Sequence, residues 1–292
     1  MHPFIAQEGK RYMHNPEVPE TLDGWAILHQ MFQIDWPHLK TLEEYDRNQI
    51  FTEAADFFQE LESNKEGTSA LVQLLGHKGD LMLIHFRKSF DDLAQIELQL
   101  AQTSLSDFLE PTTSYVSVVE LGMYDMTGKM HEELKSKGLT PGSDEYESAF
   151  DAKIEEQKER MRPRLFPEFP RRRAVCFYPM DKRRGDGKNW YREPFSKRAA
   201  MMREHGMIGR TYTGKVNQII SGSIGFDDWE WGVDLFADEP LIFKKLIYEM
   251  RFDEASAEYG EFGPFYTGLH FSAAELPRML EGETPRLLAV ND

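Results

Sequence analysis

One strand-like run in the second half of the chain, Cys176-Phe177-Tyr178-Pro179-Met180-Asp181-Lys182, sets a thiol, a phenol, a thioether and an ammonium two residues apart. Side chains alternate along an extended strand, so Cys176, Tyr178, Met180 and Lys182 would share one face. That face makes a poor plain core. A buried Tyr needs a hydrogen-bond partner, and Lys is seldom buried. A second reading puts Lys182 beyond the strand, in the basic turn Lys182-Arg183-Arg184-Gly185, and the two readings stand level.

Two other residues carry chemical interest. Gln218 shares strand parity with Val216 and Ile220, so its amide either satisfies a backbone group or reaches into a cavity. His205 closes a helical pattern just before Gly206. A helix C-terminus favours positive charge, which makes a solvated capping His the plain reading. The sharper one is an axial ligand to a haem-type iron, for which a single neutral imidazole suffices. Trp229, Trp231, Val233 and Leu235 share parity on a further strand and read first as core.

Several familiar site patterns are absent from the sequence. It has no GxGxxG after a strand, no P-loop, no CxxC, no HExxH and no GxSxG, which removes the usual support for nicotinamide, kinase and hydrolase functions. The nine histidines are scattered, against a zinc site of neighbouring ligands. An excess of 50 acidic over 34 basic residues, net charge −16, makes phosphate backbones and anionic lipid poor partners. Neither nucleic acid nor membrane is therefore expected to bind. The lone Cys176 fits a reducing compartment, and no run reaches the ~18 apolar residues of a membrane span. A cytoplasmic protein is expected.

The elements that must position these residues recur in two halves. The first reads as a strand at 24–29, a helix at 42–61, two strands at 69–76 and 80–86 around His77-Lys78-Gly79, a helix at 90–102 and a strand at 114–120. The second reads as a strand at 174–180, a helix at 193–205 stopped by Gly206, strands at 212–223 and 228–236, a helix at 241–257 and a strand at 262–269. Each half follows strand-helix-strand-strand-helix-strand, the split βαβ order of ferredoxin-like units. The expected fold class is α+β, with helices on one face of an antiparallel sheet. Residues 20–125 form the expected N-terminal unit, 126–172 a connecting segment with a charged helix at 145–162, and 173–292 the C-terminal unit.

At the residues singled out above, the sequence resembles the coproheme decarboxylases of the chlorite dismutase superfamily. The stretches that carry the resemblance include Cys176-Phe177-Tyr178-Pro179-Met180, Asn189-Trp190-Tyr191, His205-Gly206-Met207-Ile208-Gly209-Arg210 and Gly214-Lys215-Val216-Asn217-Gln218-Ile219-Ile220. Still more specific are Gly222-Ser223-Ile224-Gly225-Phe226-Asp227-Asp228, Trp229-Glu230-Trp231-Gly232-Val233 and Glu249-Met250-Arg251-Phe252-Asp253-Glu254-Ala255-Ser256. The resemblance spans about 21–269. It implies two ferredoxin-like units forming a dimeric α+β barrel-type domain, with the porphyrin in the C-terminal unit, and assembly into a homo-oligomer, commonly a pentamer.

Carried over by motif, the resemblance makes His205 the iron ligand, Tyr178 the radical-forming catalytic residue and Lys182 its helper at a reacting propionate. Met180, Trp190 and Gln218 would line the pocket. Arg164, Arg251, Ser256 and Tyr146 would hold propionates. The implied reaction oxidises iron coproporphyrin III with hydrogen peroxide and converts two propionates to vinyl groups, giving haem b. A phenol can yield an electron and a proton, and Lys and Arg can hold carboxylates. The porphyrin is both substrate and redox centre, and a transient contact with ferrochelatase is a further implied partner. Chlorite dismutation uses a distal Arg where Gln218 stands. A non-catalytic haem carrier would need His205 and the arginines but neither Tyr178 nor Lys182.

Overall fold

The computed structural model describes residues 14–289. Strand β1 (Thr21–Ile34) leads through α1 (Trp36–Leu39) and α2 (Glu44–Glu62) to β2 (Ser69–Leu74) and β3 (Leu81–Arg87). Helix α3 (Phe90–Leu100) and β4 (Leu109–Gly122) follow. Helices α4 (Tyr124–Ser136) and α5 (Asp144–Leu165) then join the two halves of the chain. The second half comprises β5 (Ala174–Lys182), α6 (Phe195–Arg210), β6 (Asn217–Gly222), β7 (Trp231–Ala237), α7 (Leu241–Met250), α8 (Glu254–Tyr259), β8 (Gly260–Phe262), β9 (Tyr266–Phe271) and α9 (Leu276–Leu280). None of the described helices is long and apolar enough to cross a membrane.

Among the described residues the strands form one nine-stranded antiparallel sheet in the order β7-β6-β4-β1-β3-β2-β9-β5-β8, and β7 also pairs with β5. The expectation of two ferredoxin-like units forming a dimeric α+β barrel-type domain is corrected by this sheet. Strands of both halves hydrogen-bond within a single chain: β4 meets β6 at Val118–Gly222 and Val119–Ser221, and β2 meets β9 from Leu71–Phe271 to Leu74–Gly268. The physical reason is edge pairing. Two separate four-stranded units would each leave unpaired N–H and C=O groups at their borders, and joining the halves satisfies them.

Alternation along the strands divides the apolar residues between two faces. Ile27, Met31, Tyr115, Val175, Phe177 and Phe236 pack together as an inner core drawn from both halves. On the other face, α2 and α9 cover the first half through Phe51, Phe58 and Leu276, set against Leu83 of β3. Helix α7 covers the second through Phe243, Leu246 and Met250, set against Cys176, Tyr178, Val233 and Leu235. The residues of chemical interest therefore lie between β5–β7 and the helices of the second half.

Local differences from expectation have identifiable causes. Helix α6 does not stop at Gly206 but runs on to Arg210, and the positive φ of +81° falls instead on Gly214. The helix expected over 241–257 breaks into α7 and α8, because the Asp253 side chain accepts the Ser256 N–H and starts a new helix there. Strand β7 begins only at Trp231, so Trp229 leaves the expected four-residue face and packs on the inner core. Helices α4 and α9 were not expected.

Candidate functional site

Strand β5 includes Lys182 as its last residue, which settles the choice between strand and turn. Cys176, Tyr178, Met180 and Lys182 thus do share a face. Register extends that face across two neighbouring strands. Cys176 lies opposite Leu235 and Tyr178 opposite Val233 on β7, while Leu235 and Val233 lie opposite Gln218 and Ile220 on β6. Residues directly opposite in antiparallel strands point to the same side. The row through Tyr178 is therefore Tyr178-Val233-Ile220, and the next is Cys176-Leu235-Gln218. Tyr178 is buried, whereas Gln218 and Ile220 are exposed on the open end of this face.

The Tyr178 ring stacks on Phe265 with centroids 4.5 Å apart and leans on Phe262 at 5.9 Å. Burial raises its phenol pKa, the Cys176 thiol adds to that, and Arg251 opposes it. The hydroxyl thus stays protonated at neutral pH. Cys176 is pushed up to about 11, chiefly by burial, so it is a thiol rather than a nucleophile.

Lys182 is buried, and its Nζ donates to the Ala255 carbonyl at 3.2 Å and lies 4.8 Å from the Trp190 ring centroid. No carboxylate among the described residues reaches ion-pair distance of it. Burial lowers its pKa to about 8, with the more distant Asp253 and Glu230 opposing the change. An ammonium held this way is ready for a carboxylate from outside the chain. Trp190 is itself buried, edge-on to Tyr259 and Tyr124.

His205 projects from α6 one turn before its end, so the capping reading fails. Its Nδ1 lies 2.9 Å from Asp253 Oδ2 and 3.4 Å from Ser256 Oγ, while Nε2 makes no hydrogen bond to a described residue. The imidazole is about a quarter exposed. No group of three His, Cys, Asp or Glu among the described residues could hold a bare metal ion. A metal at this site would have to arrive already held by other ligands, as iron does in a porphyrin, and take one more from a single imidazole. The donor set fits that case.

Arg251, at the end of α7, places its guanidinium 4.3 Å from the Phe262 centroid and has no ion-pair partner among the described residues. It borders a cavity of about 400 Å³ beside α7 whose wall includes Cys176, Phe243, Ile247, Phe265 and Thr267. Met180 is half-buried in the same cluster. Two expected residues are not brought to this group by any recorded contact. Arg164 is exposed near the end of α5. Tyr146 is fully buried between α4 and α5, where its hydroxyl bonds His131. Sequence reasoning missed Asp253, the partner of His205, and the aromatic wall of Phe262 and Phe265. The Asp253-Glu254-Ala255-Ser256 string held a helix-start signal that pointed to the first.

The profile of the chlorite dismutase family matches residues 47–271. The chain belongs to that family. Within it, this chlorite dismutase-family chain is 45% identical over 256 residues to the coproheme decarboxylase of Staphylococcus saprophyticus, covering 87% of this chain and 94% of that protein. It is 44% identical over 255 residues to the coproheme decarboxylase of Staphylococcus carnosus, covering 86% and 94%. Among solved structures, a heme-binding protein from Thermus thermophilus superposes with a TM-score of 0.76 at 38% identity, covering 92% of this chain and 99% of that one. A close relation to coproheme decarboxylases follows.

Proposed function

We propose that the protein converts iron coproporphyrin III to haem b, using hydrogen peroxide to decarboxylate two propionates in turn. The observation that carries this reading is the Tyr178–Lys182 pair. A buried phenol and a buried ammonium without a carboxylate partner stand four residues apart on one strand face, opposite the helices that bear His205 and Ser256. A haem carrier has no use for that pair. Relatives at 45% and 44% identity that are coproheme decarboxylases support the same conclusion.

For each propionate the balance is –CH2CH2COO⁻ + H2O2 + H⁺ → –CH=CH2 + CO2 + 2 H2O. The substrate supplies its own iron, and the chain binds, orients and moves charge. His205 Nε2 ligates the iron. Lys182 pairs with the reacting carboxylate and Trp190 walls it in, while Arg251 and Arg164 hold other propionates through charge-assisted hydrogen bonds. Peroxide's two oxidising equivalents would be spent in turn. The first would take the Tyr178 hydroxyl hydrogen, which the phenoxyl would regain from the propionate β-carbon. The second would accept the electron released as CO2 departs and the vinyl group forms, both equivalents ending as water. Gln218, a neutral amide, would offer no fixed positive charge to an oxyanion such as chlorite if the iron were bound beside it.

In this reading residues 173–292 bind the porphyrin, 20–125 complete the sheet and 126–172 connect them. The protein works in the cytoplasm as a homo-oligomer, a pentamer by family resemblance, with transient hand-over from ferrochelatase. The test is to add ferric coproporphyrin III and peroxide to the purified protein and follow product masses. Two successive losses of CO2 plus two hydrogens are expected. Bleaching without either loss would overturn the proposal.

A further inference from the structure

Glu230 stands directly before β7, and three segments close around it. Its main-chain N–H donates to Asp181 Oδ1 at 2.7 Å, and its carbonyl accepts the Ser223 N–H at 2.9 Å. Its Oε2 accepts the main-chain N–H of Lys182 at 3.0 Å, and its Oε1 lies 3.5 Å from Arg184 Nη1. The residue is 6% exposed. The β5–β7 ladder ends at Met180–Trp231, so the Lys182 N–H has no strand partner on that side and the Glu230 side chain takes the place of one. A turn follows in which Arg184 bridges to Asn189 and the Trp190 N–H donates to the Arg183 carbonyl at 2.9 Å. One buried carboxylate thus grips the start of a turn whose far end sets the Trp190 ring against the Lys182 ammonium. A buried carboxylate beside a buried lysine would ordinarily take the ammonium itself. Here both oxygens are engaged elsewhere, and Nζ turns away to the Ala255 carbonyl.

We infer that Glu230 is a positioning residue: it holds Lys182 by the main chain and the following turn by Arg184, leaving the ammonium free to receive a carboxylate beside Trp190. In this role, which rests on the proposed pairing of Lys182 with a reacting propionate, Glu230 acts twice. Through its hydrogen bond it fixes where β5 leaves the sheet, and so where the Lys182 side chain starts. Through its charge it favours the ammonium over the neutral amine without pairing with it. Two carboxylates face Lys182 in this way, Glu230 from before β7 and Asp253 from the start of α8, and both oppose the fall to about 8 that burial causes. Asp253 is shared with His205 and Ser256. The turn contributes the uncharged Trp190 ring and, on the far side of Glu230, Arg184. Because Arg184 balances the Glu230 charge, an incoming carboxylate meets attraction at Lys182 rather than repulsion from its support.

Magnetic resonance of isotope-labelled lysine Cε in the full-length, ligand-free protein reads the ammonium directly. The resonance that titrates near pH 8 and is missing from Lys182→Met belongs to Lys182. Glu230→Gln keeps an oxygen for the Lys182 N–H and removes the charge, so that resonance should titrate at lower pH. Glu230→Ala removes the oxygen as well, and amide exchange over residues 182–190 should quicken in it while staying at the parent rate in Glu230→Gln. Glu261 bonds Arg183 in the same turn, and Glu261→Gln should leave the Lys182 titration in place. An unmoved resonance in Glu230→Gln overturns the inference, as does an equal shift in Glu261→Gln. Soret titration with ferric coproporphyrin III supplies the second readout. In Glu230→Gln the affinity should be several-fold lower at about pH 8, and its decline with pH should begin earlier than in the parent protein. A resonance that moves while the affinity curve stays in place overturns the pairing of Lys182 with a propionate, and leaves Glu230 as the residue that sets the ammonium.

Discussion

Lys182 Nζ lies 4.8 Å from the centre of the Trp190 ring, in a residue only 7% exposed. A desolvated cation over an indole gains about 2 kcal/mol or more, which does not replace the lost hydration. The pKa accordingly falls from 10.5 to about 8. Because the folded value lies below the unfolded one, the penalty is complete below about pH 8 and is relieved as pH rises toward the unfolded value. Lys182→Met should therefore stabilise the ligand-free protein at pH 7, by on the order of 1–3 kcal/mol given 1.36 kcal/mol per unit. Denaturant unfolding at pH 7 checks it, and a destabilised variant would contradict it.

The same group gives a binding prediction. A carboxylate is held by the ammonium and not by the neutral amine, so coproporphyrin affinity should fall as pH rises through about 8. In Lys182→Met the affinity should be lower and flat across that range. Soret titrations on either side of that pH measure both curves.

How far was this site legible in the sequence? The Tyr178 face was, because period-two alternation depends only on neighbours along β5. Its extension to Gln218 was not, since it needs the register of β5 on β7 and of β7 on β6, two non-local pairings. The His205–Asp253 contact joins residues 48 positions apart, and apolar periodicity ran straight over the Asp253 break. The joining of halves through β4–β6 and β2–β9 was hidden for a similar reason. Strand pairing between distant segments leaves no periodic trace in either one.

His14 ties the segment before β1 to the connecting helices. Its Nδ1 lies 2.7 Å from Glu20 Oε1, its Nε2 3.0 Å from Asp151 Oδ1, and its ring stacks on Phe150 at 4.2 Å. Burial alone would lower its pKa, but the bonds to Glu20 and Asp151 and the charge of Glu147 raise it above 6.5. The tie is therefore fully present below pH 6.5 and is lost as pH climbs through the raised value. Amide exchange over residues 15–20 should quicken across that rise, and His14→Gln should remove the pH dependence.

Gln218 stands exposed on the open end of the β6 face. In the proposed reading Gln218 faces the bound iron, where a neutral amide offers no fixed positive charge to chlorite. Wild-type protein loaded with haem should release oxygen from chlorite slowly or not at all. An oxygen electrode reads this directly, and rapid, sustained release would contradict the role given to this face.

The central claim rests on the Tyr178 hydroxyl. Tyr178→Phe keeps the ring stacked on Phe265, and because the hydroxyl makes no hydrogen bond to a described residue, the stability cost should stay below about 1 kcal/mol. Coproporphyrin binding should persist within a small factor. The decisive measurement is the product mass after peroxide is added to the loaded variant, with occupancy checked beforehand. Intact coproporphyrin with no vinyl product is the predicted result. Conversion to haem b at near the wild-type rate would contradict it.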